Sequence, residues 1–339
     1  MQGITFPGDR RAVLKDFPDP EPGPGEVVVR VRASGMCGSD LHFYRGTASF
    51  GGGADTIQGH EPCGDVHAVG PGVTADLASV GDRVMIHHYW GCDSCEQCRS
   101  GWPQMCARGS GKTLCLTAHG GHAPYLLVPA RTLLPLPDSL SYKAGAAIGC
   151  GTGTAWGGIK RLGDVGGSTL VVFGQGPVGL SGTMFGAALG ARVIAVDVED
   201  SRLDRAREFG ASEVINSASA DLAEAMADLT GGRGAELVLE TSGVAADDAL
   251  SVLGKWGRAC FIGLPGDVRI KTEEVYKKQW TLMTSWTMSS IEQKRCADFV
   301  VSRRLPVDEL FSHSWSLDRA EEAYQWFDKQ SDGKGVFEF

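Results

Sequence analysis

Apolar residues follow two rhythms along the 339-residue chain, and the change between them comes near residue 165. Before it, runs such as RAVLKDF and EVVVRVRASG alternate apolar and polar positions, the period of a strand with one buried face. The loop PDPEPGPG between them cannot extend a ladder, because proline has no N–H to donate. GDVHAVG, GDRVMIHHYW and HAPYLLVP continue the pattern. Residues 1–148 are therefore expected to form a compact, mostly antiparallel β-domain.

After the change, apolar strands alternate with helical stretches. TLVVFG reads as a buried strand, GPVGLSGTMFGAALGA as a helix carrying small residues, and RVIAVDVED as a second strand. SRLDRAREFGA reads as a helix with Ser201 as its N-cap. SEVIN, DLAEAMADLTGG, AELVLETSG, ADDALSVLGKWG and RACFIG keep up the strand–helix alternation, and WTLMTSW adds a strand. Such spacing implies βαβ units, a parallel sheet and right-handed crossovers. Residues 149–292 are thus expected to be a doubly wound nucleotide-binding domain. IEQKRCADFVVSRR reads as a helix opening a C-terminal segment, 293–339, that returns to the first domain. The fold class is α/β.

Composition narrows the function. The 47 glycines are about twice the usual share, which calls for many tight turns and close backbone approaches. A net charge of −9 argues against a nucleic-acid or anionic-membrane surface. The opening residues MQGITFPGDRRAVLKDF have no apolar core of a signal peptide, and no stretch approaches the ~20 apolar residues of a membrane span. A cytoplasmic protein with neither nucleic-acid nor membrane partner is the expectation.

The most specific motif is GCDSCEQCRSGWPQMC, which places Cys92, Cys95, Cys98 and Cys106 within reach of one point. Four thiolates in such a run suit a tetrahedral Zn²⁺. Two disulfides are the bland alternative, but a chain this long does not need stapling. An iron–sulfur cluster also takes four cysteines.

A second motif, Gly174-Gln175-Gly176-Pro177-Val178-Gly179, is weak alone but follows a strand and opens a helix, as a dinucleotide loop must. Gly174 allows the tight turn, Gly176 lets the backbone meet a pyrophosphate, and Gly179 permits close helix–strand packing. Asp197 ends the next strand, where a carboxylate can accept from both ribose hydroxyls and repel a 2′-phosphate. That favours NAD, although Arg202, five residues on, could receive a 2′-phosphate.

Three further segments carry possible metal ligands: GMCGSDLH with Cys37, GHEPCG with His60, and GCGTGT with Cys150. Singly each is bland. Together, and in this order with the cysteine lobe and the glycine loop, they resemble the zinc-dependent medium-chain alcohol dehydrogenases over nearly the whole chain. The resemblance implies a GroES-like catalytic domain joined to a Rossmann domain, and two zinc ions per chain. Cys37, His60 and Cys150 would hold the catalytic zinc, and the lobe at about 91–107 would hold a structural one. Three protein ligands leave the open place that catalysis needs. Glu61 would be a near-metal carboxylate and Asp40 the partner that orients His60. Ser39 and His42 would relay the alcohol proton. Thr154, Ser242, Gly263 and Leu264 would join the glycine loop in binding NAD. His88 would line the substrate pocket, with Trp286, Phe43 and Trp156 as further aromatic walls.

The resemblance further implies hydride transfer between an alcohol and NAD, giving a ketone or aldehyde, in a homo-oligomer (tetramer or dimer). Relatives carry Thr at the Ser39 place, so Ser39 leaves room for secondary or bulky primary alcohols. An acidic residue near the Cys150 place is the tendency of polyol and threonine dehydrogenases, so cysteine there leans towards simple alcohols. A polyol, sugar-derivative or amino-alcohol dehydrogenase is the alternative, and a non-catalytic NAD-sensing protein is a more distant one. Cys63, Cys115, Cys260 and Cys296 are expected in the core, and His67, His119, His122 and His313 join no cluster.

Overall fold

A computed structural model describes residues 1–48, 55–330 and 333–339. The chain divides into two compact units: unit 1 comprises Met1–Cys150 and Ser289–Phe339, and unit 2 comprises Gly151–Met288. In chain order, unit 1 begins with β1 (Gln2–Gly8), β2 (Arg11–Asp16), β3 (Glu26–Gly35), α1 (Asp40–Tyr44), β4 (Glu61–Val69) and β5 (Arg83–Ile86). It continues with β6 (Tyr89–Trp90), α2 (Glu96–Arg99), β7 (Lys112–Thr113), β8 (Tyr125–Pro129), β9 (Leu133–Pro135) and α3 (Tyr142–Gly149). Unit 2 runs α4 (Gly151–Leu162), β10 (Thr169–Phe173), α5 (Pro177–Ala188), β11 (Arg192–Asp197), α6 (Asp200–Glu208), β12 (Glu213–Asn216) and α7 (Leu222–Thr230). It closes with β13 (Ala235–Glu240), α8 (Ala246–Ser251), β14 (Leu253–Phe261), α9 (Thr272–Val275) and β15 (Thr281–Thr284). Unit 1 is completed by α10 (Ser290–Arg303), β16 (Phe311–Trp315), α11 (Ala320–Phe327) and β17 (Lys334–Glu338).

The main sheet of unit 1 has seven strands, ordered β16-β17-β3-β4-β5-β9 with β8 also on β3. Its pairings are antiparallel except β16 with β17. Val27, Val29 and Val31 of β3 pack with Val66, Val84, Leu126 and Val128 on one face. A second, aromatic core gathers Phe6, Tyr44, Trp315, Tyr324, Phe327 and Phe337. The C-terminal segment therefore completes both the sheet and this aromatic core.

Unit 2 is a six-stranded parallel sheet, ordered β12-β11-β10-β13-β14-β15. Renumbered from β10, this is the 3-2-1-4-5-6 order of a doubly wound fold, whose switch point lies between β10 and β13. The loop Gly174–Gly179 leaves the carboxyl end of β10 at that point.

Three local expectations change. The helix expected over 246–257 stops at Ser251, and β14 already begins at Leu253. A Cβ on Gly254 would lie 2.5 Å from the Arg233 carbonyl oxygen, so the chain pairs closely there and bulges at Trp256, φ 62°. Ser201 lies inside α6, whose N-cap is Glu199. The run RVMIHHYW breaks after Ile86, leaving the buried His87 and His88 between β5 and β6. Among the described residues, no helix is long and apolar enough to cross a membrane.

Candidate active site

The cysteine lobe follows β6; Cys98 lies on α2, and Cys106 follows the turn Pro103–Met105. The thiols of Cys92, Cys95, Cys98 and Cys106 all lie within 4.8 Å of one another, with Cys92 and Cys98 4.0 Å apart. Thiolates bound at about 2.3 Å to a tetrahedral zinc stand about 3.8 Å apart, so the set has the size of such a site. All four residues are half-buried. Hydrogen bonding from the Ser94 hydroxyl and from backbone N–H groups holds Cys92 down at about 7, and Ser110 holds Cys106 down at about 5. Burial and the neighbouring thiols push Cys98 up to about 12. The lobe favours thiolates at part of its ligand set before any metal arrives.

The second cluster comes from three separate segments of unit 1. Gly35 pairs with Glu61 across β3 and β4, which sets the turn after β3 beside the head of β4. Cys37 lies in that turn, His60 and Glu61 at the head of β4, and Cys150 at the C-cap of α3. The four ligand atoms lie within 4.8 Å of one another, and the two Sγ atoms are 3.9 Å apart. A hydrogen bond from Cys150 holds Cys37 well below the usual thiol range, with His60 aiding. That same bond and burial push Cys150 up. Burial disfavours the His60 cation, but Cys150, Cys37 and Asp40 outweigh it and raise its pKa well above normal. This concentration of negative charge around one imidazole suits a divalent cation.

Asp40 ties the turn together. Its Oδ2 accepts the Cys37 N–H at 2.9 Å, and its Oδ1 stands 3.1 Å from His60 Nδ1, close but off the line of a full hydrogen bond. His60 Nε2 is thus left for the cluster. Ser39 is exposed, with Oγ 3.7 Å from Cys37 Sγ, and His42 is half-buried in α1. Glu61 is fully buried; burial pushes its carboxyl up to about 7, against the pull of Lys334. Lys334 Nζ stands 2.6 Å from Glu61 Oε2, and Oε1 has no hydrogen-bond partner among the described residues. Gly35 makes room here, since a Cβ would stand 2.2 Å from Oε2.

His88 is buried with its ring 5.2 Å from that of His60. Its Nδ1 donates to the Gly149 carbonyl at 3.0 Å, because a carbonyl can only accept. Burial, then the His60 charge, holds it well below the usual imidazole range, so it is neutral with a lone pair on Nε2. Phe43 packs in the aromatic core of unit 1, and Trp156 packs against Phe185 at 5.2 Å within unit 2. Trp286 lies in unit 2 and is half-exposed.

In unit 2, Gly174 has φ 80°, and a Cβ on Gly179 would fall 1.7 Å from the Gly174 carbonyl oxygen. Around Gly176 nothing lies within 4 Å of where a Cβ would be, an open backbone face at the start of α5, with Pro177 and Val178 entering the helix. A pyrophosphate fits such a face. Asp197 is buried and accepts N–H groups from Gln175 at 2.6 Å, Val198 at 2.8 Å and Glu199 at 3.1 Å. Oδ1 is thereby full, so one place on Oδ2 remains for a ribose hydroxyl rather than the two expected. Arg202 Nη1 stands 3.8 Å from Oδ2. Ser242 donates N–H to Glu240 beside the loop, Gly263 would clash with the Gly243 nitrogen if it bore a Cβ, and Leu264 is exposed. Thr154 is half-buried in α4.

Cys63, Cys115, Cys260 and Cys296 are all buried, as expected, but Cys115 Sγ also lies 3.9 Å from His60 Nδ1. Sequence reasoning missed Lys334, Tyr324 and His122. Tyr324 and His122 reach Asp40 through a buried hydrogen-bond chain, so His122 does have a cluster to join. No local motif marks any of the three.

Two family models match the chain: an alcohol dehydrogenase GroES-like domain over residues 23–138, and a zinc-binding dehydrogenase over 177–302. The chain is 37% identical to the uncharacterized zinc-type alcohol dehydrogenase-like protein YphC of Escherichia coli (strain K12), over 100% of this chain and 99% of that one. It is 31% identical to L-threonine 3-dehydrogenase of Pyrococcus horikoshii, over 96% of this chain and 94% of that one. Alcohol dehydrogenase TADH from Thermus sp. ATN1 has a similar structure, with TM-score 0.91 and 28% identity over 100% of this chain and 99% of that one. With two zinc-sized ligand clusters and a dinucleotide loop on this fold, the chain belongs to the zinc-dependent medium-chain alcohol dehydrogenases.

Proposed function

We propose that this protein interconverts an alcohol and its carbonyl compound with NAD as the hydride acceptor, and that secondary or bulky primary alcohols are its substrates. The family makes it a zinc-dependent oxidoreductase with a nicotinamide cofactor; substrate and cofactor choice are read from its own residues. Cys37, His60 and Cys150 hold the catalytic zinc, and the lobe holds the structural one. The observation that carries this reading is the set of two thiols, one imidazole and one carboxylate, all within 4.8 Å, with Cys37 half-buried and the other three residues buried.

When bound, zinc acidifies the substrate hydroxyl and the nicotinamide takes up the hydride. The residues do the rest. Two thiolates offset the metal charge, and Asp40 holds the tautomer of His60. The Ser39 hydroxyl, which both donates and accepts, takes the alcohol proton and His42 passes it on. The backbone at Gly176 cradles the pyrophosphate, and the remaining acceptor place on Asp197 takes a ribose hydroxyl while its charge repels a 2′-phosphate. Ser39 lacks the methyl group of a threonine, which leaves room for substituents on the carbinol carbon.

A second reading draws support from His88. A neutral imidazole with a free acceptor 5.2 Å from the His60 ring can take a hydrogen bond from a second hydroxyl or an amine on the substrate. This favours a polyol or amino alcohol.

A panel of primary, secondary, aromatic and polyol alcohols, each assayed with NAD and NADP, decides between them. The expected result is faster turnover of bulky secondary than of small primary alcohols, with kcat/KM higher for NAD by roughly tenfold or more. Equal rates for the two alcohol classes overturn the proposed preference, and a polyol optimum that vanishes in His88→Phe establishes the second reading.

A further inference from the structure

The metal-site cluster is backed by a buried polar chain that runs from Asp40 through Tyr324 and His122 to Ser34. Ser34 Oγ lies 2.8 Å from His122 Nδ1, His122 Nε2 lies 2.7 Å from Tyr324 Oη, and Tyr324 Oη lies 3.1 Å from Asp40 Oδ2. Asp40 Oδ1 in turn faces His60 Nδ1 at 3.1 Å. Ser34, His122, Tyr324 and Asp40 are each at most 1% exposed, and Asp40 and Tyr324 stand 284 positions apart in the chain.

The direction of every bond follows from one end. An ionised Asp40 only accepts, so the Tyr324 hydroxyl must donate to it. That hydroxyl then accepts from His122 Nε2–H, and His122 Nδ1 is left to accept from Ser34 Oγ–H. We propose that Tyr324 and His122 are positioning residues: through Asp40 they fix the orientation of His60 and so set how tightly the catalytic site holds its metal. The inference rests on the reading of Cys37, His60 and Cys150 as metal ligands.

Three further observations support it. Tyr324 cannot swing away, because its ring is packed against Phe6 at 4.6 Å and Tyr44 at 5.5 Å. Gly59 has φ 88°, and a Cβ there would lie 2.3 Å from His122 Nδ1, so the strand entry is shaped to admit this imidazole. Burial pushes His122 down to about 4 and Tyr324 up, so both stay neutral and the bond directions hold through neutral pH. Partners outside the ligand set typically change metal affinity by about 10–100-fold.

The test measures metal binding without turnover. Wild type, Tyr324→Phe, His122→Leu and His122→Gln are stripped of metal, titrated with Co²⁺, and then exchanged with Zn²⁺ against a chelator. The d–d bands of the mixed thiolate–imidazole site and of the four-thiolate lobe give separate readings. The expected result is a zinc dissociation constant at the mixed site raised about 10–100-fold in Tyr324→Phe, with the lobe unchanged. His122→Leu weakens the same site by less, and His122→Gln, whose amide N–H replaces Nε2–H, restores it. If Tyr324→Phe does not fold, the two His122 variants carry the comparison alone. A lower melting temperature with an unaltered cobalt spectrum and zinc affinity overturns the inference, leaving the chain as core packing. If Cys37→Ala leaves the mixed-site spectrum intact, the metal-ligand reading itself has failed, and the inference with it.

Discussion

The cysteine lobe and the mixed cluster use the same soft ligand in opposite ways. Cys92, Cys95, Cys98 and Cys106 sit in one half-exposed loop and need only local backbone to converge, with Ser94 and Ser110 hydroxyls 3.5 Å from two of the sulfurs. Cys37 and Cys150 stand 113 positions apart and meet in a buried site with His60, Glu61, Asp40 and Lys334. Four thiolates make a closed site that serves structure. The mixed set has two thiols with an imidazole and a carboxylate, and its polar partners Asp40 and Lys334 are buried, whereas the lobe's Ser94 and Ser110 are exposed. Under the proposed function, the denser cluster would serve as scaffold and the sparser one as reaction site.

The largest expected effect separates the two directly. Cys37→Ala should lower turnover by roughly a thousandfold or more while NADH still binds, because the glycine loop belongs to the other unit. Retained turnover would reverse the assignment of roles. Cys98→Ser should do the reverse, lowering the melting temperature by about 10 °C while metal stays at the mixed cluster. Full stability with full zinc content would remove the structural role of the lobe.

A pH series probes the buried shell, which has no counterpart in the lobe. His122 ordinarily titrates near 6.5 and burial pushes it down to about 4. As pH falls below 6.5, the unfolded chain binds this proton before the folded one does. The stabilisation from a neutral His122 is therefore complete above about 6.5 and is lost as pH falls towards 4, a change of about 3 kcal/mol. Unfolding free energies of wild type and His122→Gln should diverge in their pH slope over that window, and parallel slopes would contradict this. The smallest contrast concerns serines beside thiols. Ser39→Ala should lower kcat about 10–100-fold as a lost proton relay, whereas Ser94→Ala should leave kcat unchanged. Equal effects would deny Ser39 its role.

Much of the architecture is legible in the chain. The strand period before residue 165 and the strand–helix alternation after it are local properties, and the parallel sheet of unit 2 follows them. The edges are less legible: β14 begins inside the stretch read as a helix, because its pairing beside Gly234 and Gly254 overrides local propensity. At the site, the Cys92–Cys106 spacing and the Gly174–Gly179 loop are readable as they stand, while Cys37, His60 and Cys150 become readable only through family resemblance. Phe43 and Trp156 show what local sequence does not tell: Phe43 packs in the aromatic core of unit 1 and Trp156 against Phe185.

Sequence alone determined whatever depends on neighbours in the chain: the period of most elements, the four-thiol lobe, the glycine loop and the acidic balance. Tertiary structure alone decided the approach of Cys37 to Cys150, the burial of Glu61 against Lys334, and the chain from Ser34 through His122 and Tyr324 to Asp40. Those contacts join residues from 88 to 284 positions apart. They form only when β3, β4, α3, α11 and β17 pack together, and the burial that this packing imposes is what shifts their charges.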